Sequence, residues 1–412
     1  MTAVPERGLP QLGRTVSGVI PSIVFDDLLE MFQAARPEIG LFAAAGQLAG
    51  FALGVRDQHV GDDESRSPQT QGVTAVRKIT SRRVWRVVDA ESKLDRPVGT
   101  TRRLAELARS MAPAHVRVTV ACSPDFLRES TSLADVARPS RIVLGIASGD
   151  EHAEQLLRRV WKAQLDAGAL MVVTDLTTAE MCKTAANAFL ATKISFINAV
   201  ASLCEATGTD VSSLAHTLAL DPRIGDAYLN AGIGYGGSCL PKDVRSLIAQ
   251  GRTHGAGADL ELLVQVDRVN QRRRLHTVDL ARHACGGDLT NRRVGVWGLS
   301  FKPDVDDLRD SPALAVALAI HHEGGIVTAY DPAAMDFARD LHPELRYALA
   351  ADGAVEGAEV LLHLTAWPEF IEADPAKLVR SAAVPIVVDG RATLDPDLWS
   401  DAGWSYRALG RG

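Results

Sequence analysis

Cysteine is scarce in this chain. Five residues among 412, an odd number, show no CxxC pair and no Cys/His spacing of a metal site. That excludes a secreted disulfide framework and a zinc module, and leaves reduced thiols. Long runs of one charge are missing too. The 44 basic and 51 acidic residues give a net charge of -7 without a basic tract, so nothing electrostatic supports a nucleic-acid partner. Low-complexity tracts and short-period repeats are absent as well. The apolar (46%) and charged (23%) fractions are those of an ordinary globular chain, long enough for two or three domains. No basic segment followed by an apolar one opens the sequence, so a cytoplasmic location is expected. Ile39 to Val55 carries no charge and one Gln, and Gly46, Gly50 and Gly54 recur every four residues. The run is at the short limit for a bilayer span and rich in Ala and Gly. It reads as a buried helix or a poorly formed segment rather than a membrane span.

What is present falls into zones. Residues 1–96 are irregular, broken by Pro5, Pro10, Pro21 and Pro37, with an exposed loop expected at 61–72. From residue 97 to about 290, helical and strand-like patterns alternate: a helix over Arg102–Met111, strands over Val116–Cys122 and Ile142–Gly145. A long helix then opens at Thr177, where Thr177 and Glu180 fit a capping box, and runs to about Glu205. Residues 291–412 repeat strand then helix. Apolar runs at Val294–Trp297, Ile326–Tyr330, Val360–Leu364 and Ile386–Val388 are separated by helical stretches such as Pro312–His321 and Lys377–Ser381. That alternation predicts a doubly wound parallel sheet with ligands at the carboxyl ends of its strands.

Three constellations carry chemistry. Gly232 to Asp243 (GIGYGGSCLPKD) is glycine-rich where a backbone must approach a ligand. It places Cys239 beside Lys242 at a predicted helix start, the setting that reactive cysteines occupy. Lys183 and Asn187, four apart on the long helix, project from one face among apolar neighbours, and could hold an oxyanion or a sugar hydroxyl. Asp125 and Glu129, four apart after a strand, could share one site.

Gly234–Asp243 (GYGGSCLPKD), Ala185–Val200, Asp221–Gly225 (DPRIG), Gly298–Leu314 (GLSFKPDVDDLRDSPAL) and Asp389–Trp399 (DGRATLDPDLW) together resemble the nucleotide-sugar 6-dehydrogenases, the UDP-glucose/GDP-mannose dehydrogenase family. The resemblance implies an α/β fold, doubly wound parallel sheets in two domains joined by a long central helix. It implies oxidation of UDP-glucose, or of another sugar nucleotide such as GDP-mannose, with NAD as cofactor in a homodimer or larger homo-oligomer. Its implied domains are 97–175 (remainder of the first α/β domain), 176–290 (central helices) and 291–412 (UDP-sugar binding). By the same resemblance Cys239 is the nucleophile that holds the half-oxidised sugar, and Lys183 and Asn187 stabilise charge on its oxygen. Asp243 and Glu129 orient water or move protons. Asp125, Phe126, Leu127, Arg128, Tyr228, Leu229, Asn230, Ala231, Gly232, Gly236 and Lys302 match substrate-binding positions. Arg223 matches an arginine that reaches a neighbouring subunit's site, and Lys242, Arg309 and Glu129 lie on the NAD side. The C-terminal sheet binds the UDP part in this family, so Asp331 is not expected to hold a ribose.

Residues 1–96 contain no GxGxxG between a strand and a helix, and the recognisable motifs begin abruptly at Pro97. Replacement or a frame shift of that segment would leave such a pattern. Three readings therefore stand: a working dehydrogenase, a nucleotide-sugar binder without a working NAD site, and a membrane-attached form that uses residues 39–55.

Overall fold

The computed structural model describes residues 41–43, 97–111 and 118–411. The segment 1–96, including the 61–72 loop and the 39–55 stretch, lies outside them, except that Leu41–Ala43 is a strand and not part of a helix.

Helix α1 (Thr100–Met111) starts after Gly99, whose φ of 93° is open to glycine. Its first turn contains no acid of its own. The carboxylate of Glu180 fills that role from elsewhere in the chain, accepting from the Gly99 and Thr101 N–H groups at 2.6 Å and from the Thr101 hydroxyl at 2.5 Å. A four-stranded sheet follows, in the order β1 (Leu41–Ala43), β2 (Val120–Cys122), β3 (Ile142–Ile146), β4 (Met171–Asp175). Only the β2–β3 pair is antiparallel, because a single turn and the short helix α2 (Ser132–Ala137) return the chain along the same edge. Helices α3 (Glu151–Val160) and α4 (Lys162–Asp166) cross from β3 to β4.

Strand β4 runs straight into α5 (Leu176–Thr207), 32 residues long. The predicted capping box is not used. Asp175 caps the helix, accepting from Thr177 and Thr178 N–H, while Glu180 is committed to α1. At 1.5 Å per residue α5 is roughly 48 Å long. By length and composition it could cross a membrane, yet it is a partly buried helix packed against the helices that follow. It ends at Gly208 in the left-handed conformation. Helices α6 (Val211–Ala219), α7 (Leu240–Thr253) and α8 (Glu261–Ala284) pack against it through Ala188, Ala191, Val244, Leu263 and Val266 at one end, and Ile197, Ala201, Val211 and Leu229 at the other.

The second sheet has six parallel strands in the order β10-β9-β8-β5-β6-β7. These are β5 (Arg293–Trp297), β6 (Ile326–Tyr330), β7 (Arg346–Tyr347), β8 (Val360–His363), β9 (Ile386–Asp389) and β10 (Ser405–Ala408), with α9 (Pro312–His322) following β5. The predicted doubly wound sheet is therefore present, with β7 and β10 added. The helix expected at Lys377–Ser381 lies instead at Pro375–Leu378, where Asp374 caps it and Pro375 opens it. Strand order reverses between β5 and β8, so the crevice at their carboxyl ends is the switch point. The loops leaving β5, β8 and β9 carry Lys302, Thr365 and Arg391 to that crevice. Buried Asp331, at the end of β6, accepts from the Leu299 and Ser300 N–H groups, the Ser300 hydroxyl and the Ala333 and Ala334 N–H groups. Its oxygens are consumed by the fold, as expected of an acid that holds no ribose.

The C-terminal residues are tied back to α5. Glu205 accepts from Gly410 N–H at 2.7 Å, from Arg273 at 3.1 Å and lies 2.8 Å from His276. Burial alone would raise its carboxyl. The His276 hydrogen bond, the Arg273 charge and the Gly410 N–H outweigh it and hold the group down at about 2. A depressed carboxylate contributes stability above its unfolded value, and that contribution is lost as pH falls toward 2. Glu205→Gln is expected to cost about 2–3 kcal/mol at neutral pH, with the difference from wild type shrinking between pH 5 and 2, as read by denaturant titration at each pH. A difference independent of pH would contradict the assignment.

Candidate active site

Cys239 is the residue immediately before α7, so its side chain stands at the helix start as the sequence predicts. Pro241 lies in the first turn, where a missing N–H costs nothing. One turn on, Asp243 is buried, with 3% of its side chain exposed. It accepts from Lys242 Nζ at 2.8 Å and from Asn187 Nδ2 at 2.5 Å. Asn187 comes from α5, and so does Lys183, one turn earlier, which is ion-paired with Asp125. Lys183 and Asn187 do share a face, one engaged by Asp125 of the loop after β2 and the other by Asp243 in the first turn of α7.

Asp125 pairs with Lys183, and Glu129 is engaged from the second domain. Glu129 faces Arg309 at 3.6 Å, across the gap between the two sheets' loops. Burial, and then the charge of Asp307, push the Glu129 carboxyl above its ordinary value against the opposing pull of Arg309. Arg309 is itself gripped by Asp307 through two bonds of 2.8 Å. Lys302 donates to the Ser130 hydroxyl at 3.2 Å, and burial pulls its ammonium below the ordinary value.

The remaining expected positions fall around this centre unevenly. Arg128 is bound to Asp135 through its side chain and N–H. Phe126 stacks under Arg141, 3.7 Å from the guanidinium carbon to the ring centre. Tyr228 has a φ of 65° at the start of the segment that leads into the glycine loop. Leu229 is turned into the core beside Ile197 and Val211, so only its backbone is offered to a ligand. Ala231 and Gly232 are buried and Asn230 is exposed. A Cβ at Gly236 would lie 2.5 Å from the Asp310 carbonyl oxygen and 2.6 Å from Pro312, which explains the glycine. Arg223 is not brought to this centre within the chain. It is exposed and chelates its own Asp221. Sequence reasoning missed Asn198, Asn270, Arg273 and Arg391, which hold the glycine loop's backbone. A polar residue interrupting an apolar helical face was the available signal for the first three.

An NAD site was tested on the donors present. Lys242, Arg309 and Glu129 beside Cys239 fit the reacting end of a dinucleotide. The spacing G-x-G-x-x-G occurs once, at Gly232–Gly237, but it does not form a pyrophosphate cradle. Gly232 N–H is donated to Asn198, Tyr235 N–H to Asn270 and Gly237 N–H to the Arg309 carbonyl. The starts of α3 and α5, where the first sheet would offer phosphate an open helix end, are capped by Asp150 and Asp175. The described residues therefore fit the nicotinamide end and supply no pyrophosphate cradle.

Comparison with known proteins places this geometry. Three domain descriptions of one family match in chain order: the NAD binding domain over residues 70–165, the central domain over 177–272 and the UDP binding domain over 295–396. The chain belongs to the UDP-glucose/GDP-mannose dehydrogenase family. It is 38% identical to the UDP-glucose 6-dehydrogenase of Rhizobium meliloti over 76% of this chain and 71% of that one. Against UDP-glucose 6-dehydrogenase YwqF of Bacillus subtilis the identity is 36%, over 82% and 76%. The solved UDP-glucose dehydrogenase of Pyrobaculum islandicum superposes with a TM-score of 0.69 at 36% identity, covering 77% of this chain and 69% of that one. The dehydrogenase family's first domain implies NAD as the cofactor, and its match reaches residue 70, ahead of the motif that begins at Pro97.

The packing at Gly236 yields a direct check on the loop. Gly236→Ala forces a methyl against backbone that cannot move aside, at a cost of about 1–3 kcal/mol in unfolding free energy. Gly225→Ala, whose Cβ meets nothing within 4 Å, pays only for its φ of 68°. Denaturant titration of both variants is expected to show the larger loss at Gly236, together with weakened UDP-glucose binding there alone.

Proposed function

We propose that the chain oxidises UDP-glucose to UDP-glucuronate, with Cys239 holding the sugar between two oxidations. The observation that carries this reading is Cys239 at the start of α7, one turn from the buried Asp243–Asn187 pair. Two NAD molecules, bound in turn with the reacting end beside Lys242, Arg309 and Glu129, would each accept one hydride.

The chain's own residues do the rest. Lys302 and the 228–232 segment orient the sugar nucleotide, and Asp125 to Arg128 line its other side. Lys183 and Asn187 leave their carboxylates to hold the C6 oxygen as negative charge develops on it. The Cys239 thiolate adds to the C6 aldehyde, so that a carbon–sulfur bond forms and the carbonyl pair moves to oxygen as a thiohemiacetal. A second loss of hydride leaves a thioester. Water then attacks, the carbon–sulfur bond breaks and the thiolate departs. Asp243 positions the water, and Glu129, with its raised carboxyl, takes the proton. A covalent hold keeps the aldehyde from escaping between the two oxidations.

A homodimer belongs to the same reading. Phe189, Phe196 and Leu203 on α5, with Leu262 and Leu275 on α8, are large apolar side chains left exposed, and Arg223 points away from its own site. The cytoplasm is the setting that reduced thiols and a dissolved cofactor require.

A second reading, a nucleotide-sugar binder with an impaired cofactor site, is favoured by the missing pyrophosphate cradle. Calorimetry with UDP-glucose and with NAD, followed by absorbance of NADH, separates the two. Steady NADH production that Cys239→Ser abolishes, with UDP-glucose binding retained, supports the enzyme. Replacement of Cys122, Cys182, Cys204 or Cys285 by Ser is expected to change turnover far less, and equal loss at Cys182 would overturn the choice of nucleophile. Tight UDP-glucose binding with NAD binding absent would establish the binder.

A further inference from the structure

The segment 232–238 that delivers Cys239 has no strand or helix of its own. Its backbone polar groups are buried, and such groups demand partners. In this loop most of them are side chains. Gly232 donates its N–H to Asn198 Oδ1 at 2.8 Å, and its carbonyl accepts from Arg273 Nε at 3.3 Å. The Gly234 carbonyl accepts from Arg391 at 3.3 Å. Tyr235 is held twice by one residue: its N–H donates to Asn270 Oδ1 at 2.7 Å, and its carbonyl accepts from Asn270 Nδ2 at 3.1 Å. A side-chain amide presents one acceptor and one donor in a plane, the same pair a neighbouring strand would offer.

Asn270 is 1% exposed in the middle of α8, a helix that Ala188, Val244, Leu263 and Val266 fasten to α5 and α7. Gly234 complements it. With φ at 104°, a Cβ there would stand 2.3 Å from Asn270 Oδ1, so the glycine lets the amide come close to the loop. Three residues separate Tyr235 from Cys239, and Gly237 N–H is already fixed by the Arg309 carbonyl. Little backbone freedom is left between the clamp and the thiol.

We propose that Asn270 is a positioning residue for Cys239. It acts as a stand-in strand for Tyr235, and thereby sets where the thiol sits relative to Lys183, Asn187 and Asp243. The proposal rests on Cys239 being the sugar-holding nucleophile. A misplacement of about 1 Å at a reacting centre can cost 100-fold, so the loss of one clamp is expected to be large while the fold survives.

The test needs no turnover. Alkylation of Cys239 by iodoacetamide is followed by peptide mass spectrometry across a UDP-glucose titration, and amide exchange is followed in parallel, for wild type, Asn270→Ala and Asn270→Asp. In Asn270→Ala, the UDP-glucose concentration that half-protects Cys239 is expected to rise at least 10-fold. Amides 233–238 are expected to exchange about 100-fold faster, while those of β5 and β8 keep wild-type rates. Asn270→Asp keeps an acceptor for Tyr235 N–H but loses the donor, so it should shift both readings in the same direction; it decides by the same criteria if the alanine variant does not fold. Unchanged exchange and half-protection overturn the proposal. Faster exchange throughout β5 and β8 overturns it too, because the residue would then serve folding in general. If UDP-glucose does not protect wild-type Cys239 at all, the active-site reading fails, and the exchange comparison still decides whether Asn270 holds the loop.

Discussion

A loop that must bring its backbone close to a ligand cannot also be a strand, and that constraint organises the molecule around residues 232–238. Glycine supplies the close approach and leaves the backbone without a regular partner. The partners then have to come from side chains whose own positions are fixed. Asn198, Asn270 and Arg273 meet that need from two long packed helices, and Arg391 meets it from the second sheet. The loop thus registers α5, α8 and the C-terminal sheet against one another, and Cys239 follows it directly.

Helix α5 links this constraint to the rest of the fold. Along its length it caps α1 through Glu180, engages Asp125 and Asp243 through Lys183 and Asn187, holds Gly232 through Asn198 and receives the C-terminal residues at Glu205. Glu180, Lys183, Asn187 and Glu205 are all partnered, whereas Asn198 uses its Oδ1 and leaves its buried Nδ2 without a hydrogen bond. The two domains meet at the site through single contacts, Lys302 to Ser130 and Arg309 to Glu129. Those contacts bear on partly exposed groups, whereas the loop's anchors on Asn198, Asn270 and Arg273 are buried. Rigidity is concentrated behind the cysteine and adaptability in front of it.

The alternation of apolar runs made the second sheet legible in the sequence, because strands buried on both faces read as continuous Val, Leu and Ile. The long helix was legible for the opposite reason, an absence of breakers over thirty residues. Its cap was misread: Thr177 and Glu180 match a capping box, but Asp175 is nearer the helix start and Glu180 has a distant partner that local spacing cannot reveal. Strand β4 was missed since Met171–Asp175 alternates weakly, and β7 since it has two residues. Cys239, Lys183 and Asn187 could be named from their motifs. Asn270 and Arg273 could not, because their role depends on which turn of α8 lies behind the loop, a tertiary fact. The literal GxGxxG at Gly232–Gly237 shows the same limit, for its spacing suits a pyrophosphate and its amides are already spent on Asn198, Asn270 and the Arg309 carbonyl.

The central claim is that this scaffold holds a sugar carbon covalently on Cys239, and it can be tested without relying on the cofactor. The C6 aldehyde of UDP-glucose, labelled with carbon-13 at C6, would be added to the protein and observed by carbon NMR. The account predicts a protein-bound resonance of a saturated carbon attached to sulfur and oxygen, present in wild type and absent from Cys239→Ser. A spectrum showing only the free hydrate in wild type, or the same bound resonance in Cys239→Ser, would contradict it.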